Sequence, residues 1–312
     1  MASKRFKDEN FYHTISAGIT SKLSGIPENL PLFAAASDKA SEVLGSGVYT
    51  PDVACLSYGT TATVQTTHNK YYEIIPFFPS YPGAIQNYYN TEIMIFRGFW
   101  MVNWFKEEFG CKEIEIAEKT GLAAEQLFDE MIKDIPPGSM GLTLQPYWSP
   151  GVKVPGTEAK GAIIGFGDVH TRAHIYRAIL EGLAYALKEG LQRTEKRTKT
   201  KIEKIIVSGG GSQSEQAMQM TADIFNMPVE RPHTYETSAL GAAINAAVGM
   251  KYYNSYEEAV KNMCRIGKSY SPNEKNRLIY DSLYNKVYYK MYGKLKSLYH
   301  IIRDITGYPE KI

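Results

Sequence analysis

Three consecutive glycines, Gly209, Gly210 and Gly211, followed by Ser212, stand between a β-branched run and a helical pattern in IIVSGGGSQSEQAMQMTADIF (205–225). Without side chains, such a turn lets backbone N–H groups and a helix N-terminus approach phosphate closely. No lysine follows in the GKS/T arrangement, so this is not a P-loop. Two other readings stay open. One is a dinucleotide turn in which Gly209 and Gly211 fit G-x-G, Ser214 replaces the last glycine and Glu230 supplies a ribose carboxylate. The other is a tight strand-to-helix turn with no ligand. A second candidate, Tyr58-Gly59-Thr60-Thr61, offers amide and hydroxyl donors at a strand turn, suited to phosphate oxygens, or is an ordinary turn with β-prone threonines. Asp38, at the end of an apolar run, is either a general base or a helix N-cap, and the two roles are compatible. His170 and His174 lie four apart, but without the glutamate of HExxH, and with Arg172 and Arg177 nearby they fit structural or interface roles better than metal ligation.

The elements that must hold these residues read as follows. Residues 14–25 suggest a short helix, and LPLFAAAS (30–37) a buried strand. DKASEVLGSG reads as a helix capped by Ser37 or Asp38. VACLSYGTTATVQTTH (53–68) reads as a hairpin around Gly59-Thr60-Thr61. EIIPFFP (73–79) suggests a third strand, 93–110 a helix, 121–134 an amphipathic helix and 141–148 a strand. A proline- and glycine-rich loop (149–161) leads to GAIIGFG. A long helix spans 170–193, where Ala178, Gly182 and Ala186 recur every four residues and allow close approach of another element. The charge run 195–204 reads as a solvated connection. Strand 202–208, a helix from 212, strand 228–232 and helix 238–249 form a β-α-β-α unit. From Pro272 a long helix carries Tyr280, Tyr284, Tyr288 and Tyr292 at four-residue spacing, a packing face. Antiparallel strands followed by α/β units indicate a mixed sheet with helices on both faces.

At 312 residues, 44% hydrophobic and 22% charged, the chain has the composition of a soluble globular protein. Its formal net charge of +2 gives no argument for nucleic acid or a membrane surface as partner. The three cysteines, odd in number and without CxxC spacing, indicate reduced thiols. MASKRFKDEN lacks a signal-peptide core, and no apolar run approaches membrane-spanning length. A cytoplasmic location is expected.

Taken in order, LPLFAAASDKASEVLGSGV, VACLSYGTTATV, HTRAHIYRAILEGLAYALKEG, IIVSGGGSQSEQAMQMTADIFNMPV and ETSALGAAINAAVG resemble the catalytic-aspartate segment, phosphate hairpin, RA-x-x-EG-x-A helix, adenosine motif and closing E-x-x-ALGAA helix of the FGGY carbohydrate kinases. The resemblance runs over essentially the whole chain. It implies a ribonuclease-H-like fold of the actin/hexokinase/Hsp70 superfamily and ATP-dependent phosphorylation of a sugar or polyol hydroxyl, a ketopentose by family frequency. It further implies that Asp38 is the base and that Gly59, Thr60 and Thr61 hold the β/γ-phosphates. Gly209, Gly210, Gly211 and Ser212 would contact the α-phosphate and adenosine. The helix carrying Gly98 and Trp104 resembles the GG-x-x-x-W-x-x-D segment beside the nucleotide, with Arg97 where the family has a glycine. Trp148 and the 149–160 loop depart from the family's usual segment.

No D-x-G-[ST] occurs near the N-terminus, where the family carries its first phosphate hairpin, whose aspartate helps hold Mg²⁺, and most sugar contacts. The resemblance therefore implies the C-terminal half of a kinase, with residues 1–46 the tail of an N-terminal domain and its hinge, and 47–312 the nucleotide-binding domain. The partners expected are ATP or ADP with Mg²⁺, the sugar, and an N-terminal domain or subunit. The face toward that lobe should be apolar, or covered by a second copy in a homodimer. Alone, the chain should bind nucleotide weakly and transfer nothing. The alternative is a non-catalytic actin-like nucleotide-binding or assembly subunit; a nicotinamide-dependent dehydrogenase ranks behind both.

Overall fold

The computed structural model describes residues 12–14, 23, 25–27, 30–33, 35–151, 153 and 155–308. The helix expected over 14–25 lies almost wholly outside them. The apolar run at 30–37 is not a strand of the main sheet: only Pro31–Phe33 (β2) is extended, paired antiparallel with Tyr12–Thr14 (β1). Phe33 is half-buried and Ala35 is exposed, so the run is not buried throughout.

Helix α1, Asp38–Gly45, follows. The predicted hairpin is present as β3, Val53–Tyr58, and β4, Ala62–His68. The third strand is not 73–79, where two prolines break the run into turns. It is β6, Tyr89–Ile95, antiparallel to β4 and edged by the two-residue β5, Tyr81–Pro82. The segment read as one helix over 93–110 is therefore the end of this strand, a turn at Gly98, and α2, Trp100–Phe109. Two short helices, α3 (Cys111–Thr120) and α4 (Ala124–Ile132), precede a separate two-stranded ribbon of β7 (Thr143–Gln145) and β8 (Ala162–Ile164).

The long helix α5, Arg172–Thr198, runs past its expected end into the charge run. Then come β9 (Lys204–Ser208), a 3-10 turn at Gly210–Gln213, α6 (Glu215–Phe225), β10 (Val229–Pro232) and α7 (Thr237–Gly249). The order of the seven-stranded sheet is β11-β10-β9-β3-β4-β6-β5, where β11 is Ile266–Tyr270. Strands β10, β9 and β3 are parallel, and the flanking pairs are antiparallel.

Alternation along β3 sorts the two faces. Ala54, Leu56 and Tyr58 join the main core with residues of α5 and α6. Cys55 points the other way, into a cluster with Val43 of α1 and Ile206 of β9. Helices thus cover both faces. Helix α1 lies tightly on α7: a Cβ on Gly241 would stand 1.9 Å from the Ser41 carbonyl, and one on Gly45 would stand 1.9 Å from that of Thr237. The expected close approach along α5 occurs at Gly182, where a Cβ would meet the Leu144 carbonyl at 2.4 Å.

The chain continues through α8 (Tyr256–Met263), β11, α9 (Glu274–Leu283), a π turn over Tyr284–Tyr288 and α10 (Tyr289–Thr306). Tyr280, Tyr284 and Tyr288 are each at most 1% exposed, so the tyrosine stripe is a packing face, set against Tyr185 of α5. Below it, the buried Glu181 carboxylate accepts from Arg177 Nε, the Gly138 N–H, Ser139 Oγ and the Tyr280 hydroxyl at 2.8–2.9 Å. That charge is fully hydrogen-bonded, as burial requires. Among the described residues no helix is long and apolar enough to cross a membrane.

Candidate functional site

Parallel strands deliver their carboxyl ends to one rim, and both glycine turns spring from it. At the end of β3, the Gly59 and Thr60 carbonyls accept the N–H groups of Phe99 (3.0 Å) and Trp100 (3.3 Å), which bolts the hairpin turn to the start of α2. Gly98 permits this contact, since a Cβ there would fall 2.1 Å from the Ala62 nitrogen. Gly98 is itself buried and shapes the turn from behind. Thr60 is exposed at the tip, and Thr61 Oγ1 donates to the Phe96 carbonyl at 3.3 Å.

At the end of β9, Gly209 has φ +82°, a conformation that favours glycine. A Cβ there would also stand 3.0 Å from the Tyr58 carbonyl group. Ser212 is buried, and its N–H (3.1 Å) and hydroxyl (2.7 Å) both donate to the Gly209 carbonyl, closing the turn on itself. Gly210 is open, with nothing within 4 Å of the point a Cβ would occupy, whereas a Cβ on Gly211 would meet the Phe99 ring at 2.3 Å. Phe99 stacks on Tyr58 with centroids 4.3 Å apart. One ring is thereby held between the two turns.

Beside this ring lies a cavity of about 690 Å³, lined by Phe99 and Asn103 of the α2 segment, Gln126 and Asp129 of α4, Gly210 to Glu215, and His233 and Tyr235 beyond β10. The size and the placement outside the carboxyl ends of parallel strands are those of small-molecule sites in α/β sheets. Asp129 sits at the N-terminus of α6, accepting from Ser214 Oγ at 2.7 Å and the Gln216 N–H at 3.5 Å. Burial nonetheless pushes its carboxyl above its ordinary value. A carboxyl group already occupies that helix end, and the Gly210 turn is the part of the rim left open. Arg231, which also lines the cavity, braces the turn by donating to the Ser212 carbonyl at 3.0 Å and pairing with Glu215 at 3.1 Å.

Ser37, one of the two cap candidates, caps α1 by accepting the Ala40 N–H at 3.2 Å. The Asp38 carboxylate is exposed and accepts its neighbour's N–H, from Lys39 at 2.8 Å. Its helix is tied to both strand ends. Lys39 Nζ donates to Ser57 Oγ and Glu42 Oε2, each at 2.9 Å, and Ser208 Oγ donates to Glu42 Oε1 at 2.5 Å. Ser57 and Ser208 stand just before the two glycine turns. Phe99, Asp129, Arg231, Lys39 and Glu42 were not singled out from sequence. Phe99 lies in the turn before α2 and the others on unremarkable helices or strands, and each acquires its place only by tertiary approach.

His170 and His174 accept backbone N–H groups through Nδ1, from Gly167 at 2.8 Å and Thr171 at 3.2 Å, so they order the start of α5. Glu230 is ion-paired with Lys204 at 3.1 Å and does not line the cavity, which removes the ribose carboxylate of the dinucleotide reading.

Residues 54–250 match the model of the FGGY family of carbohydrate kinases, C-terminal domain. The chain is 32% identical over 292 residues to the uncharacterized sugar kinase YgcE of Escherichia coli, covering 92% of this chain and 59% of that protein. It is 31% identical over 282 residues to a xylulose kinase of Lactococcus lactis, covering 88% of this chain and 53% of the relative. In fold it is similar to a ligand-bound xylulose kinase from Lactobacillus acidophilus, with TM-score 0.78 at 23% identity over 93% of this chain and 57% of the other. A xylulose kinase from Rhodospirillum rubrum gives 0.74 at 24% identity over 90% and 55%. The chain therefore spans little more than half the length of these relatives. With the ordered motifs, the mixed sheet and the matched domain in agreement, the chain belongs to the FGGY family of carbohydrate kinases, whose C-terminal domain it contains.

Proposed function

We propose that this chain supplies the nucleotide-binding lobe and the catalytic aspartate of an ATP-dependent sugar or polyol kinase, with a ketopentose as the acceptor class. Residues 1–46 would be the tail and hinge of a preceding domain, and 47–312 the nucleotide lobe. The observation that carries this reading is the tie of the Asp38 helix, through Lys39 and Glu42, to the ends of the two strands that bear the glycine turns.

Phosphoryl transfer asks mainly for positioned phosphates and a base at the acceptor hydroxyl. In this reading Asp38, exposed and fixed on the first turn of α1, takes the hydroxyl proton. The Gly59–Thr61 and Gly209–Gly211 turns donate to phosphate oxygens, and the cavity beside Phe99 takes the adenosine. Closure of a second lobe over this rim would exclude water. Mg²⁺ would come with the phosphates and be held in part by that second lobe.

The test is calorimetric titration of the chain with Mg-ADP, followed by turnover assays with pentuloses after the N-terminal half is added. Asp38→Asn is expected to keep ADP binding and to lower turnover by about 10²- to 10⁴-fold. Nucleotide binding without sugar-linked turnover in the joined protein would favour a non-catalytic actin-like subunit instead.

A further inference from the structure

Lys39 is an unusual neighbour for a base. A lysine that only braced its own helix would reach along the surface to Glu42, three residues on. Lys39 does make that pair, yet its ammonium also turns inward to the Ser57 hydroxyl at the end of β3. Those contacts use two of its three N–H donors. Its side chain remains 32% exposed, so a third partner can approach it from solvent.

The Ser57 hydroxyl locates that rim. It lies 3.9 Å from the Cβ position that Gly59 leaves empty, so the ammonium is one hydroxyl away from the open face of the hairpin turn. From below, Glu42 fixes the cation: it is buried, and its second oxygen is already taken by Ser208. Neutral side chains would tie a helix to two strand ends just as well. A cation held at this junction, partly in water, next in sequence to an exposed carboxylate and one hydroxyl from a candidate phosphate turn, has the placement of an anion contact.

Resting on the kinase reading above, we propose that Lys39 contacts the terminal phosphoryl group of ATP, donating its third N–H to a γ-phosphate oxygen. As transfer proceeds, the bond from phosphorus to the ADP oxygen breaks and the bond to the acceptor oxygen forms. The acceptor proton passes to Asp38, and Lys39 stays protonated throughout. Its charge offsets the repulsion between the Asp38 carboxylate and the incoming phosphate, a task that no group on either glycine turn performs.

The experiment compares affinities of the 312-residue chain for Mg-ADP and for the Mg complex of a non-hydrolysable ATP analogue with an imido β,γ-bridge. Lys39→Met is expected to weaken the ATP analogue roughly 10- to 100-fold, the range of a charged hydrogen bond, while ADP affinity stays within about twofold. Lys39→Arg should restore most of the difference. Lys39→Gln removes the charge but retains an N–H donor, so the same analogue-selective loss is required of it should Lys39→Met fail to fold. Equal weakening of both nucleotides would make Lys39 a brace of the turn and overturn the proposal, as would no change in either. Failure of the unsubstituted chain to bind ADP is a separate result, and it would remove the nucleotide reading together with this one.

Discussion

Phe99 shows how much of this site is made of backbone. The ring stacks on Tyr58, its own N–H holds the Gly59 carbonyl, and its edge fills the space where Gly211 has no side chain. The two neighbouring glycines of the second turn should therefore answer differently to the same added methyl. Gly211→Ala drives a Cβ into the ring and is expected to cost about 1–3 kcal/mol of stability, the usual range for overpacking. It should also weaken ADP binding at least tenfold, because the displaced ring closes on the cavity. Gly210→Ala meets open space and should leave the melting temperature nearly unchanged. Thermal melts and ADP titrations of the two variants side by side check this. Equal melting temperatures would mean that the ring is not wedged.

At the scale of elements, the crossing of α1 and α7 sets where Asp38 stands. Gly241 and Gly45 let the helix backbones touch, and α1 then reaches β3 and β9 through Lys39 and Glu42. Gly241→Ala places its Cβ against the Ser41 backbone, one turn on from Asp38, and must lift α1. The expected result is a loss of about 1–3 kcal/mol in stability and a lower turnover in the joined enzyme, with ADP affinity little altered; melting curves and steady-state rates measure both. The elements themselves were unevenly legible. The hairpin at 53–68 and the β9-α6-β10-α7 unit follow from alternation, glycine punctuation and capping residues, so both glycine turns were readable before any fold was known. Strand β6 was hidden because IMIF is apolar throughout, a run that periodicity does not separate from a buried helix. Strand β11, IGKSY, was missed because four of its five residues are exposed and it gains strand character only by pairing with β10. Asp129 resembles any carboxylate on an amphipathic helix, and only the approach of α4 to the start of α6 gives it a partner.

Across the whole molecule, the buried group around Glu181 joins α5, the turn before β7 and α9. Arg177 and Glu181 are 5% and 2% exposed, so each charge depends on the other. Arg177→Met is expected to cost about 3–5 kcal/mol, because the carboxylate then stays buried without its cation. Replacing Arg177 and Glu181 together with apolar residues of similar volume should recover much of that loss. Denaturant midpoints for the single and double variants test the pair, and additive losses would show that the two charges are not coupled.

The same group sets a timetable for the newborn chain. Tyr280 is 99 residues beyond Glu181, so a ribosome adding about 5–20 residues per second needs about 5–20 seconds to deliver it. Strand β9 and its glycine turn are made early in that interval, and the tyrosines that pack on the back of α5 only at its end. Chaperone binding is therefore expected to be strongest late in that interval, when both glycine turns have been made and the tyrosine row that covers α5 has not.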